Sequence, residues 1–132
     1  MKTVILQGKV SSGQGGGTRF LSLPWVQKQI IEKLGFKPFP GTLNLRLTEK
    51  SVKTKKELIE TGKAIVIVPV KDFCCGFCYK ARIMDKVDGA VIMPQVPDYP
   101  EELLEIIAPV SLRKTLRLRE GDEVRLSVYL PA

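Results

Sequence analysis

Four of the chain's eleven glycines, Gly13, Gly15, Gly16 and Gly17, fall in the stretch SSGQGGGTRFLSLP, which runs from Ser11 to Pro24. Glycine is costly to order and packs nothing, so such a cluster marks either a pliant hairpin tip or a backbone that must approach something closely. Successive glycines can point several backbone N–H groups into one concavity, an arrangement that holds phosphate oxygens. Arg19 can add a charged hydrogen bond just beyond. The spacing fits neither standard nucleotide motif. No Gly-Lys-Ser/Thr ending follows, and Thr18 stands where a dinucleotide fingerprint needs glycine.

A second stretch, PGTLNLRL from Pro40 to Leu47, alternates. Residues two apart in a strand share a face at about 6.6–7 Å. Leu43, Leu45 and Leu47 are expected to face a core, which leaves Thr42, Asn44 and Arg46 on the other side. Thr42 and Asn44 offer neutral oxygens, and magnesium takes oxygen ligands while keeping waters and substrate phosphates in its shell. The pair therefore suits a magnesium site shared with a phosphate ligand. The plainer alternative, a polar outer face on a half-buried strand, is what the residue types alone favour.

Other chemistry is constrained by what the chain lacks. It has no histidine, so the commonest general base and the commonest zinc ligand are absent, and Asn44 is its one asparagine. Cys74, Cys75 and Cys78 sit within DFCCGFCYK, and Cys75 and Cys78 have C-x-x-C spacing. With no second cysteine pair, this chain alone cannot complete a four-ligand zinc site. Structural cysteines beside a tight turn at Gly76 are the expectation, with a redox or metal module as the alternative. The net charge of +7 suits polyanions, nucleotide phosphates included, but forms no nucleic-acid arm. The densest patch, Lys50 to Lys56, reads as a solvated segment. Few aromatics leave no stacking platform for single strands. No apolar run approaches a membrane span and no signal peptide opens the chain, so a cytoplasmic protein without membrane partners is expected. Many charges and scarce thermolabile residues point weakly to a thermophile.

The elements that must position these residues follow from periodicity. KTVILQGKV alternates as a strand with Val4, Leu6 and Val10 on one face and a break at Gly8. RFLSL is a short extended candidate. SLPWVQKQIIEKLG reads as a helix capped by Ser22 and ended by Gly35, its core stripe Val26, Ile30 and Leu34. Thr48 to Lys63 is expected to be a loop with a short helix. KAIVIVPVK, FCYKARIM and GAVIMP read as strands, with Pro69 placing the first at an edge or bulge. PDYPEE is a loop, and LLEIIAP is strand or helix. SLRKTLRL gives a turn or two of helix, and REGDEVRLSVYL a turn and a strand with Val124, Leu126, Val128 and Leu130 on one face. Many short strands and two modest helices predict a mainly β, single-domain barrel spanning residues 1–132.

Taken together, the glycine stretch, FLSLP, the helix ending LGF, PGTLNL, DGAVIMP and EIIAPVSLRKTLRLREGDEV resemble, in the same order, the archaeal CTP-dependent riboflavin kinases. Thr48 to Tyr79 is the part the resemblance covers least. It implies a compact six-stranded cradle-loop β-barrel, like those of riboflavin synthase and the flavokinases, in a short kinase-only form. It implies transfer of the γ-phosphate of CTP to riboflavin, giving FMN and CDP, with Mg2+ as cofactor, in a monomer that binds no nucleic acid. By the same resemblance Ser12, Gly13, Gln14, Gly15, Gly16 and Gly17 contact the nucleotide, together with Val110, Ser111, Leu112 and Arg113. Thr42 and Asn44 hold magnesium, and Glu105 contacts the flavin. Pro97 stands where the family can offer the flavin a threonine; it has no side-chain donor, and Asp98 or Tyr99 can replace it. No catalytic base is assigned, and the cysteine cluster has no place in the resemblance. The rival reading is a DNA-binding barrel of the swapped-hairpin type, which fits the positive charge and the LREGDEV ending.

Overall fold

The computed structural model describes residues 2–12, 21–70 and 75–130. Its strands are β1 (Lys2–Val10), β2 (Leu43–Leu47), β3 (Ile65–Ile67), β4 (Gly76–Ile83), β5 (Val87–Pro94), β6 (Leu103–Ile107) and β7 (Glu123–Leu130). The described helices are α1 (Pro24–Leu34), α2 (Glu49–Glu60) and α3 (Leu112–Thr115). The sheet order is β3-β4-β5-β6-β2-β1-β7, and β4 also pairs with β7, so six strands close into an antiparallel barrel and β3 is left outside it. Closure removes the free edges an open sheet would expose. At the seam Ala81, Arg82 and Ile83 face Val128, Ser127 and Leu126.

Alternation decides which side chains fill the barrel. Leu6 and Val10, Leu43, Leu45 and Leu47, and Val124, Leu126, Val128 and Leu130 all enter one buried core. A second cluster lies outside the wall, where Val26, Ile30 and Leu34 of α1 pack on Ala90, Ile92 and Ile107. β5 and β6 are therefore covered on both faces, and every residue from Gly89 to Pro94 and from Leu103 to Ile107 is buried. That double cover explains why LLEII reads as a continuous apolar run, and pairing with β2 and β5 makes it a strand.

Several local expectations are corrected. β1 runs through Gly8 without a break, because Gly8 lets β2 come close; a Cβ there would stand 2.6 Å from the Arg46 carbonyl oxygen. α1 begins at Pro24 with Leu23, not Ser22, in the cap position, and no strand forms at Leu21–Leu23. Gly35 does end it, at φ 85°, with its N–H on the carbonyls of Ile30 and Ile31. Thr48 to Lys63 is mostly a 12-residue helix, so the described helices number three rather than one or two. Its N-cap is Thr48, whose hydroxyl accepts from Ser51 N–H. Gly76 opens β4 rather than making a turn.

The short β3 stops before Pro69 and lies at an edge, as that proline implies. Side chains of α1 satisfy its outer backbone: Gln29 both donates to Val68 O (2.9 Å) and accepts from Val68 N–H (2.7 Å), and Lys33 donates to Val66 O (2.7 Å). Among the described residues no helix is long and apolar enough to cross a membrane.

Candidate active site

The outer face of β2 carries Thr42 just before the strand, then Asn44, then Arg46. The plain expectation for that face was solvent. Arg46 meets it, but Asn44 is only 9 % exposed. The reason is the neighbouring strand: register places Asn44 opposite Glu105 of β6, itself 1 % exposed. A carboxylate so deeply buried needs donors. Thr42 Oγ1 donates to Glu105 Oε1 at 3.0 Å, and the Tyr99 hydroxyl donates to Oε2. Among the described residues Asn44 Nδ2 makes only long contacts, 3.4 Å to both Thr42 O and Thr42 Oγ1. Asn44 Oδ1 is buried with no hydrogen-bond partner among the described residues. An orphaned buried acceptor is rare and calls for an explanation.

Two clefts flank this polar centre. One, of about 130 Å³, is lined by Gly41, Thr42 and Val110, Ser111, Leu112 and Arg113. It brings the first presumed metal ligand of the sequence together with the segment that follows EIIAP. The loop before Thr42 is held there by Phe39 N–H on Ala108 O at 2.7 Å, and Gly41 turns at φ 105°. Ser111 is occupied as the N-cap of α3, its hydroxyl accepting from Lys114 N–H, whereas Arg113 is exposed at the cleft's rim. The second cleft, about 190 Å³, is lined by Ser11, Ser12, Arg46, Pro100, Glu102 and Leu103. Asn44 and Glu105 lie between the two along the β2–β6 pair.

Ser11 N–H donates to Asn44 O at 2.9 Å, so the glycine stretch is entered directly beside the candidate ligands. Ser12 donates to Glu120. Gly13, Gln14, Gly15, Gly16 and Gly17, with Arg19, lie outside the described residues. Pro97 is exposed in a turn that Asp98 completes at φ 62°. The side chain that reaches Glu105 from this loop is Tyr99, two residues on. Burial and its bond to Glu105 push the Tyr99 phenol above its ordinary range. The reading of Lys50 to Lys56 as a solvated patch is corrected at Lys55, whose buried amine faces inward on α2 and donates to Glu101 O (2.8 Å) and Leu103 O (3.2 Å). Burial draws its pKa below the usual lysine value.

Neither described cysteine lines these clefts. Cys78 is buried in the cluster beneath α1, and burial pushes its thiol up to about 12, the opposite of a reactive thiol. Cys75 is half-buried and unbridged, and Cys74 lies outside the described residues. No group of three or more His, Cys, Asp or Glu suited to a metal occurs among the described residues.

A family model for CTP-dependent riboflavin kinase, described as domain of unknown function DUF120, matches residues 10–128. A riboflavin kinase of Methanosarcina barkeri is 42 % identical over 123 residues, covering 90 % of this chain and 54 % of the relative. One of Ignicoccus hospitalis is 40 % identical over 139 residues, covering 97 % and 73 %. One of Archaeoglobus fulgidus is 40 % identical over 131 residues, covering 97 % and 56 %. The chain thus spans little more than half the length of two of these relatives.

Proposed function

The chain belongs to the CTP-dependent riboflavin kinase family, and from that premise we propose that it transfers the γ-phosphate of CTP to the terminal ribityl hydroxyl of riboflavin, giving FMN and CDP. The hydroxyl oxygen bonds to the γ-phosphorus as the bond to the β–γ bridging oxygen breaks. That oxygen leaves on CDP, and the hydroxyl proton passes to solvent. One observation carries the reading: Asn44, its buried Oδ1 without a partner among the described residues, stands two residues from Thr42 and across from Glu105, between two clefts.

The donor set fits magnesium. Thr42 and Asn44 supply two neutral oxygens, too few to sequester the ion alone and enough to hold it with waters and nucleotide phosphates. When bound, the ion neutralises phosphate charge and aligns the transferring group. The protein's own residues do the remaining work. The cleft at Thr42 and Val110–Arg113 takes part of CTP, with Arg113 toward its phosphates. Ser12 and residues 13–17 bring backbone N–H groups to the same phosphates. Glu105 meets the flavin side, where Pro97 supplies no donor. A strong base is not required, because such transfer is accelerated mainly by positioning and charge stabilisation. The lack of histidine is then no obstacle. We further propose a monomer acting in the cytoplasm. The preference for CTP is drawn from the family.

The test is FMN formation by chromatography with fluorescence detection, with riboflavin, magnesium and CTP, UTP, ATP or GTP in parallel. FMN appearing mainly with CTP is expected. Equal yields from every nucleotide contradict the donor, and no FMN from folded protein with any of them contradicts the reaction.

A further inference from the structure

Glu105 accepts from Thr42 and from Tyr99, and Tyr99 lies in the loop between β5 and β6, whose ends are tied by Gln95 N–H on Cys75 O (2.9 Å) and Leu47 N–H on Glu102 O (2.7 Å). Residues 95–102 connect β5 to β6 without regular structure and turn at Pro97 and Asp98. Lys55 of α2 adds a side-chain hold close to Tyr99 itself. Its Nζ bonds Glu101 O and Leu103 O and stands 5.9 Å from the centroid of the Tyr99 ring. An ammonium attracted to a ring face and fixed by two carbonyls holds the phenol's position as well as the chain on its C-terminal side. Lys55 is itself only 7 % exposed. The Glu101 carboxylate pairs with the neighbouring Lys56 at 3.1 Å, so it is the backbone of this segment, not an ion pair, that the buried amine grips.

We propose that Tyr99 is a positioning residue for Glu105, and that Lys55 acts through it, so that the Lys55–Tyr99–Glu105 chain sets the affinity for the flavin and leaves that for the nucleotide untouched. The inference rests on the reading of Glu105 as the flavin contact. A carboxylate has about four lone-pair sites, so the bonds from Thr42 and Tyr99 do not by themselves saturate it. Thr42 ties Glu105 to the nucleotide side. Tyr99 and Lys55 reach Glu105 from the β5–β6 loop and from α2, and neither lines the cleft of Thr42 and Val110–Arg113. Their loss therefore separates the two substrates in a way that general loosening of the fold does not.

The experiment uses the full chain as wild type, Tyr99→Phe and Lys55→Met. Riboflavin affinity is read from quenching of flavin fluorescence, and CDP affinity in magnesium from calorimetry. Tyr99→Phe is expected to weaken riboflavin binding about tenfold or more, the scale of a hydrogen bond to a charged group, with CDP affinity within about twofold of wild type. Lys55→Met is expected to weaken riboflavin binding in the same direction and likewise to leave CDP affinity within about twofold of wild type. Riboflavin affinity unchanged in Tyr99→Phe, or both affinities weakened in parallel, overturns the proposal. A wild type that binds CDP but no riboflavin removes the flavin reading itself, and this inference with it. Should Lys55→Met fail to fold, Tyr99→Phe decides alone, since it removes one hydroxyl and keeps the ring.

Discussion

Replacing Asn44 with alanine is predicted to make the ligand-free protein slightly more stable while disabling it. Asn44 Oδ1 is buried without a partner among the described residues, and such an atom costs about 1–3 kcal/mol. What the side chain returns is small: two contacts at 3.4 Å, each worth about 0.5 kcal/mol at the weak end of the hydrogen-bond range. The bond from Ser11 N–H goes to the backbone carbonyl and survives the change. Taking about 2 kcal/mol relieved against about 1 kcal/mol lost leaves a gain of about 1 kcal/mol. For a chain of this size that raises Tm by about 3–5 °C. Calorimetric melting without metal or nucleotide measures it, beside kinase turnover at limiting magnesium, which is expected to fall at least about 100-fold. Stability given up at a functional site is a common trade. A variant that melts 6 °C or more below wild type by about the same reckoning, yet turns over normally, refutes the reasoning, since Asn44 would then be a structural residue.

Three further outcomes are expected. Gly89→Ala should destabilise by about 2–3 kcal/mol in denaturant unfolding, because its Cβ would stand 2.3 Å from the Ile107 carbonyl oxygen and force β5 from β6; a change under about 0.5 kcal/mol contradicts that packing. Gly8→Ala should act likewise through the Arg46 carbonyl at 2.6 Å. For Cys78 burial raises the folded pKa to about 12, above the ordinary thiol value of 9.0, so the fold keeps the proton that the unfolded chain loses. Stability from this group is full below about pH 9 and declines toward pH 12; the wild type should lose stability over that window relative to Cys78→Ala, and parallel pH profiles would show the thiol is not buried as described.

Where one face of an element meets one environment, its structure could be read directly. β7 is the clearest instance, with Val124, Leu126, Val128 and Leu130 all buried as their alternation implies. α1 shows the same for Val26, Ile30 and Leu34. α2 was harder, because its inward positions are Ser51, Lys55 and Leu58, and a lysine on the buried stripe conceals the helical period. Gly8 looked like an interruption since its reason lies on another strand. The candidate site divides along the same line. Thr42 and Asn44 are two apart on one strand and could be paired by local spacing, whereas Glu105 reaches them through cross-strand register. Tyr99 could be named only as one of two substitutes for Pro97, and Lys55 carried no local signal at all. Both act through contacts the fold makes between distant segments.

The central claim is that Thr42, Asn44 and Val110–Arg113 form one metal–nucleotide site, and paramagnetic broadening tests it directly. Amide resonances of the isotopically labelled protein are recorded with CDP as traces of Mn2+ replace Mg2+. Broadening that begins at Thr42, Asn44 and Val110–Arg113 and leaves the groove of Gln7, Lys9 and Arg125 sharp is the predicted result. Broadening centred on that groove, or spread evenly over acidic surface residues, would contradict it.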